Sequence, residues 1–302
     1  MAEVAVGSLA AASTRRGRRR MARAVLLATL AAVCCAGAAA QQRVEVPSLD
    51  RPHGAALLLP GIWFAASRLG PAPAWVLLHG CSGAYGRDGE LAARLRDTAQ
   101  FLNQRGMHAL VLDSLTPRGE HELCTQRVER RRVTQTQRRR DVLGALQWLA
   151  ARGEVDRARL GLMGWSNGGS TVLAATNVNH PEVAAATVRP SRAVAFYPGC
   201  AEELRRGYRP LAPLLLLLGE IDDWTPIAPC LALAARSADP QPEVQVYAGA
   251  GHGFDSRAPV RLRSDVPGGA RPGAGVHVGG NAAARKASRV ALQTWLDPMA
   301  SR

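Results

Sequence analysis

Side chains that together support nucleophilic catalysis occur in one order along this 302-residue chain. Ser166 lies in the pentapeptide GWSNG, whose glycines would permit a tight turn that exposes the hydroxyl. A serine hydroxyl is a weak nucleophile at neutral pH and needs a general base, which itself needs an orienting carboxylate. Two adjacent acids, Asp222 and Asp223, follow later, and then His252 in the segment GAGHGF. The pattern predicts acyl transfer through a serine nucleophile.

Stabilising groups for the reaction can also be located. An attacked carbonyl develops negative charge on its oxygen, and backbone N–H groups can stabilise that charge. Asn167, directly after the serine, is one expected donor. The segment LLHGC at residues 77–81 ends an apolar run in a turn, and we expect the N–H of Cys81 to be the second donor. The alternative interpretation of this segment is an ordinary tight turn.

These residues can meet only if secondary structure brings them together. Continuous apolar runs predict buried strands at residues 74–78, 109–112, 160–163, 193–197, 214–218 and 244–247. Amphipathic stretches predict helices at residues 88–105, 141–151, 168–176 and 281–296. Repeated strand–helix units predict an α/β fold, with a mostly parallel central sheet and helices on both faces. The Gly- and Pro-rich stretch 267–280 is either a mobile loop near the site or a flexible connector.

The combination resembles the dienelactone hydrolase-like family of the α/β-hydrolase superfamily. The resemblance rests on LHGC at 78–81, GWSNGG at 164–169, GEIDD at 219–223 and GHGFD at 251–255, and it covers about residues 50–297. It implies the α/β-hydrolase fold and a Ser-Asp-His hydrolase. Dienelactone hydrolases proper use a cysteine nucleophile, so Ser166 argues against transferring dienelactone specificity. Esterases of the superfamily and prolyl-oligopeptidase-type peptidases use serine.

The same resemblance favours one of the two adjacent acids. Asp222 stands three residues after Gly219 and four before Pro226, which is the usual spacing of the triad acid in this fold. We therefore expect a triad of Ser166, Asp222 and His252. Asp223 would face away from the histidine and cap the helix expected to begin near Pro226.

The start of the chain predicts export. Six arginines between residues 15 and 23 precede an apolar run at 24–40 that ends in Ala-Ala-Ala, a pattern typical of a secretory signal peptide. The alternatives are an uncleaved membrane anchor and a buried helix, and Met21 is a second candidate start. We assign residues 1–40 to the signal peptide and 41–302 to the hydrolase domain. The mature protein would be periplasmic or extracellular, without stable membrane insertion.

Four cysteines would remain after cleavage, and an even number in an exported protein favours disulfides. In the sheet that the resemblance implies, adjacent strand ends make Cys81–Cys124 and Cys200–Cys230 the natural pairs. Four reduced cysteines are the alternative. Neither a CxxC motif nor a Cys/His metal spacing is present, so no metal site is expected.

The formal charge of +14 raises the question of a nucleic-acid partner. Removal of residues 1–40 would discard six arginines and one glutamate and leave +9. A basic run remains between Arg127 and Arg140, but it contains no aromatic residue and includes Glu129. We interpret it as a solvated helix face and expect no nucleic-acid partner. A lesser possibility is that one of these arginines, or Arg118, binds a substrate carboxylate.

Together these patterns predict an exported serine hydrolase that cleaves a small-molecule ester or lactone without a metal or organic cofactor. The alternatives are a prolyl-oligopeptidase-type peptidase and a non-catalytic hydrolase-fold binding protein. The oligomeric state is left open.

Overall fold

A mostly parallel sheet forms the centre of the computed structural model, which describes residues 1–2 and 41–300. The predicted signal peptide lies outside the described residues apart from its first two. All elements belong to the unit Ala39–Arg302. The eight strands of the sheet are β1 (Gln41–Pro47), β2 (Leu58–Phe64), β3 (Ala72–Leu78), β4 (His108–Leu112), β5 (Val155–Trp165), β6 (Arg192–Phe196), β7 (Leu214–Gly219) and β8 (Glu243–Tyr247).

The strand order brings the ends of distant strands to one edge. It runs β1-β2-β4-β3-β5-β6-β7-β8, with β1 and β2 antiparallel to their neighbours and all other pairs parallel. Because parallel strands end at the same edge of a sheet, the loops after β3, β5, β7 and β8 are neighbours. Those loops contain the four segments expected from the sequence to form the site.

Helices cover both faces of the sheet. They are α1 (Ala93–Asn103), α2 (Gln135–Ala150), α3 (Asn167–Thr176), α4 (Pro181–Ala184), α5 (Ala201–Arg206), α6 (Ala228–Arg236) and α7 (Ala282–Ala300). One buried cluster joins α2, α3 and α6 to the sheet, and a second joins α1 and α7 to the opposite face. Both faces of strand β3 carry apolar side chains that the helices cover, because Val76 packs in the first cluster and Leu77 in the second. The predicted α/β-hydrolase architecture is therefore confirmed.

Helix α2 begins six residues earlier than the sequence pattern predicted. Thr134 precedes it, with the Thr134 hydroxyl accepting from Thr136 N–H while the Gln137 side chain accepts from Thr134 N–H. This reciprocal cap fixes the start at Gln135. The sequence pattern missed the first turns of α2 because the charged residues at 138–140 interrupt the apolar periodicity.

The interpretation of the basic run as a solvated helix face is wrong for part of it. Arg138 is fully buried and Arg139 is 7% exposed, and both lie on α2. Arg139 pairs with Glu182 at 2.5 Å. Arg118 binds Asp50 and Asp141 at 2.9 and 2.8 Å, so its charge is engaged in an internal ion-pair cluster rather than in the substrate cavity. The exposed arginines 127, 130 and 132 precede the helix.

The Gly- and Pro-rich stretch is partly regular. Strand β10 (Val276–Val278) pairs with β9 (Arg261–Arg263) as an antiparallel hairpin that the sequence pattern did not reveal. The hairpin is attached to the loop after β8, because the N–H of Gly279 donates to the carbonyl of His252 at 3.0 Å. It therefore lies beside one of the candidate site residues.

Both disulfides implied by the resemblance are present in the structure. Cys81–Cys124 joins the loops after β3 and β4, and Cys200–Cys230 joins the start of α5 to α6. Each closes a loop near a strand end and so restricts the loops around the candidate site. Within residues 41–300, none of the helices combines the length and apolarity required to cross a bilayer.

Candidate active site

Ser166 occupies a strained turn between β5 and α3. Its φ and ψ are 53° and −117°, a region that side chains other than glycine rarely adopt. A Cβ on Gly164 would overlap the carbonyl oxygen of Gly168, and a Cβ on Gly168 would overlap that of Leu78. Both glycines are thus required for the close approach of α3 to β3 and β5. The geometry is that of a nucleophile elbow, which points the hydroxyl away from the sheet.

The structure brings Ser166, His252 and Asp222 into one hydrogen-bonded chain. The Nε2 atom of His252 lies 2.9 Å from Ser166 Oγ, and its Nδ1 atom lies 2.8 Å from Asp222 Oδ2. A carboxylate only accepts, so Nδ1 carries the proton and Nε2 is free to accept the serine proton. Both the histidine and the aspartate are buried, at 3% and 5% exposure. The arrangement can activate the hydroxyl for attack on a carbonyl.

Asp222 is held by its own turn. The N–H groups of Trp224 and Thr225 donate to Oδ1 at 2.9 and 2.8 Å, and the hydroxyl of Thr225 lies 2.9 Å from Oδ2. The turn is tied to the histidine loop, since Ile221 N–H donates to the carbonyl of Ala250. Thr225 was not expected from the sequence, although its position three residues after the acid is typical of such a turn.

Asp223 does not cap α6, and that expectation was wrong. Helix α6 is preceded by Ile227, and no side chain caps its start. The carboxylate of Asp223 instead lies 2.7 Å from Nδ1 of His277 and accepts from that residue's N–H at 2.9 Å. The physical reason is that the two acids point in opposite directions from one turn, Asp222 toward His252 and Asp223 toward β10.

The two candidate oxyanion donors flank Ser166. Asn167 is the first residue of α3, so its N–H lacks an acceptor within the helix. Cys81 follows β3 and is 7% exposed. Among the backbone hydrogen bonds of the described residues, neither N–H has an acceptor. Both are therefore available to a ligand atom.

A cavity of about 210 Å³ opens above the serine. Its lining combines Ser166 and His252 with the loop after β3, the apolar side chains of Leu95 and Trp224, and the ring of Tyr197. This volume suits a small acyl group. Nowhere in residues 41–300 do three His, Cys, Asp or Glu side chains form a group that could hold a metal ion.

Comparisons with known proteins decide the family. Residues 64–299, well over half of the chain, match the dienelactone hydrolase family. The chain belongs to the dienelactone hydrolase family. A search among curated proteins found no match.

Solved structures of this superfamily are similar over most of the chain. A dienelactone hydrolase-like promiscuous phosphotriesterase from metagenomic libraries has 20% identity and a TM-score of 0.61, covering 86% of this chain and 99% of its own. A Klebsiella pneumoniae protein assigned as a dienelactone hydrolase has 19% identity and a TM-score of 0.58, covering 87% and 100%. Thermogutta terrifontis esterase 2 phosphorylated by paraoxon has 15% identity and a TM-score of 0.57, covering 85% and 93%. At these identities the similarity establishes the fold.

This member of the dienelactone hydrolase family has a partly buried network beside His252 that the sequence analysis missed. Asp255 accepts from the hydroxyl of Tyr197 at 2.7 Å, from Trp165 Nε1 at 3.0 Å and from Arg94 Nε at 2.9 Å. Burial, more than any other cause, holds the pKa of Tyr197 well above its ordinary value, so its hydroxyl stays a donor. The position of Asp255 in the GHGFD motif, three residues after His252, was the one sequence feature that could have indicated its place near the histidine.

The network and a tryptophan hold the histidine ring from two sides. The ring of Tyr197 packs edge-on against His252 with centroids 4.7 Å apart, and Trp224 packs at the same distance with a tilt of 47°. Together with the bond to Asp222, these contacts leave the imidazole one orientation. Such fixed orientation is what a general base requires.

Three arginines line the cavity of this family member. They are Arg94 on α1 and two residues of β9, Arg261 and Arg263. None of the described residues lining the cavity is acidic. Arg94 and Arg263 are paired with Asp255 and Asp265, which lie outside that lining. Arg261 forms no such ion pair among the described residues, so it is the side chain that presents positive charge to a ligand.

Proposed function

We propose that this chain is a serine hydrolase that cleaves carboxylic esters or lactones through Ser166, His252 and Asp222. The observation that carries the proposal is the continuous chain of hydrogen bonds at 2.9 and 2.8 Å from a strained serine to a buried carboxylate. The family assignment supports a hydrolase. The small cavity and the free backbone N–H groups supply the remaining requirements for acyl transfer.

In the proposed mechanism, Ser166 Oγ attacks the substrate carbonyl while His252 Nε2 takes the hydroxyl proton. Asp222 stabilises the imidazolium and keeps the proton on Nδ1. The N–H groups of Cys81 and Asn167 hold the oxyanion of the tetrahedral intermediate. Collapse of this intermediate breaks the ester C–O bond, and His252 protonates the departing alkoxide. Water, deprotonated by the same histidine, then hydrolyses the acyl-enzyme and regenerates the serine.

The proposal is tested by a panel of p-nitrophenyl esters, lactones and amino-acid anilides assayed with the wild-type protein and Ser166→Ala. We expect ester or lactone turnover, and a loss of about 10⁶-fold in kcat when the serine is removed. Faster cleavage of anilides than of esters would favour a peptidase. Binding without turnover would favour a non-catalytic role, and full activity of the variant would contradict the proposed nucleophile.

We also propose that residues 1–40 direct export and are removed. The support is the pattern of the segment itself together with two disulfides in the domain, since disulfides persist in oxidising compartments. The mature protein would act in the periplasm or outside the cell.

A further inference from the structure

Arg138 is a buried cation whose hydrogen bonds lead to the candidate oxyanion hole. It lies on α2, and its side chain has no exposed surface. One guanidinium nitrogen, Nη2, donates to the carbonyl of His79 at 2.8 Å, and the other, Nη1, donates to Oδ1 of Asn167 at 2.5 Å. Within residues 41–300 it forms no ion pair with a carboxylate. Burying an unpaired guanidinium costs free energy, so we looked for a function that Arg138 serves at this position.

The two acceptors belong to the two segments that carry the candidate oxyanion donors. His79 lies two residues before Cys81 in the loop after β3. Asn167 supplies its own backbone N–H, while its side chain accepts from the arginine. The planar guanidinium of Arg138 therefore connects the residue after β3 to the first residue of α3 through two hydrogen bonds.

A second contact fixes the direction of the Cys81 N–H. Burial and the charge of Arg138 lower the pKa of His79 well below its ordinary value, so the ring is neutral. Its Nε2 accepts from Ser114 N–H at 3.3 Å, which leaves Nδ1 to donate to the carbonyl of Gly80 at 2.7 Å. In a planar trans peptide the C=O and the following N–H point in opposite directions. The Cys81 N–H is thereby aimed away from the His79 ring.

We propose that Arg138 is a positioning residue for the oxyanion hole. Its two Nη groups hold the loop after β3 and the turn after Ser166 at a fixed separation, so that the N–H groups of Cys81 and Asn167 converge on one oxygen. The inference rests on the proposed function, because an oxyanion forms only if Ser166 attacks a carbonyl or phosphoryl centre. Burial lowers the pKa of Arg138 to about 10, so the side chain remains charged at neutral pH.

The test compares Arg138→Met with Arg139→Met. Arg139 is the adjacent residue on α2, is also buried, and pairs with Glu182 away from the serine. For p-nitrophenyl butyrate we expect kcat of the Arg138 variant to fall about 100-fold while KM changes by less than about twofold, because misplaced donors weaken only the transition state. The inhibition constant of an alkyl trifluoromethyl ketone, which forms an oxyanion on the serine, should rise by the same factor as kcat/KM falls. The Arg139 variant should keep all three quantities within about twofold.

Arg138→Lys provides a second variant in case Arg138→Met does not fold. A lysine keeps the charge but reaches only one of the two acceptors at a time, so we expect an intermediate loss of kcat. Wild-type kcat in a folded Arg138 variant, or an equal loss in Arg139→Met, would overturn the inference. Labelling by a fluorophosphonate distinguishes a failure of the proposed function from a failure of the inference about Arg138. A wild-type protein that resists the label would overturn the proposed function and this inference with it, whereas wild-type labelling rates in Arg138→Met would overturn the inference alone.

Discussion

At the scale of single residues, two adjacent acids differ in the residue that each side chain contacts. Asp222 contacts the histidine ring and receives three donors from its own turn, whereas Asp223 contacts His277. A triad acid must accept from Nδ1, because that bond holds the tautomer in which Nε2 accepts the serine proton. Only Asp222 meets this requirement among the two.

Asp222→Asn should lower kcat by about 10⁴-fold, because an amide NH₂ facing Nδ1 favours the wrong tautomer. Asp223→Asn is the matched control, since it changes the same charge one residue away. We expect it to retain kcat within a few-fold, since it loses only the contact with His277. Steady-state kinetics of both variants on one ester makes the comparison, and a larger loss in the Asp223 variant would contradict the assignment.

At the scale of elements, the elbow depends on the packing of α3 against β3 and β5. A methyl group at Gly168 would meet the carbonyl of Leu78, which is backbone and cannot move aside cheaply. The carboxyl ends of the parallel strands then place the remaining residues around the serine. The β9–β10 hairpin adds Arg261 and Arg263 from outside the sheet.

Gly168→Ala should reduce the free energy of unfolding by about 1–3 kcal/mol, because the added carbon overpacks the elbow. Gly153→Ala is the control, since a Cβ there meets no atom within 4 Å. Urea unfolding of both variants measures the difference. Equal stability of the two variants would show that α3 can withdraw from β3 without cost and would contradict the account of the elbow.

Arg261→Met should lower kcat/KM for an ester with a carboxylate in its acyl group, such as p-nitrophenyl hemisuccinate, by about tenfold at low salt. The neutral p-nitrophenyl butyrate should change by less than about twofold, and added salt should reduce the contrast. Arg257→Met removes the same charge from an exposed residue outside the cavity lining and serves as the control. An equal effect on both esters would exclude a charge contribution from Arg261 to substrate choice.

At the scale of the whole molecule, the parallel part of the fold could be predicted because its strands are continuous apolar runs. The six strands β3 to β8 and the residues after them follow from that pattern. Strand β2 was not predicted because it contains Pro60-Gly61, a pair that is typical of a turn. The carbonyl of Pro60 nevertheless accepts a hydrogen bond from the N–H of Asp113. Its place is set by pairing with β1 and β4, which is tertiary information.

The buried polar groups could not be predicted, for a related reason. Arg138 stands in a run of arginines that is typical of a solvated surface, and its burial depends on acceptors at His79 and Asn167. The partly buried Asp255 likewise gains its role only from donors on α1, on β5 and at Tyr197, the residue after β6. In both cases the sequence supplies the charge, and distant segments supply the partners that make burial tolerable.

Expression of the full chain in a Gram-negative host should yield a mature protein that begins near Gln41 and has no free thiol before reduction. The reason is that export places all four remaining cysteines in an oxidising compartment, where the two observed pairs close. N-terminal sequencing and thiol titration make the measurement. A protein that retains Met1 or Met21, and with it Cys34 and Cys35, and that titrates six thiols would contradict export.

The most direct test of the central claim is to map the site at which an organophosphate reacts. An organophosphate such as paraoxon transfers its phosphoryl group to an activated serine and releases p-nitrophenolate, so it reports which serine is the nucleophile. After exposure to paraoxon, we predict one diethyl phosphoryl group on the peptide that contains Ser166, with parallel loss of esterase activity. Ser82→Ala, which removes another serine of the same cavity, should still be labelled, whereas Ser166→Ala should not. A label on another residue, or an unlabelled wild-type protein that hydrolyses esters, would contradict the claim that Ser166 is the nucleophile.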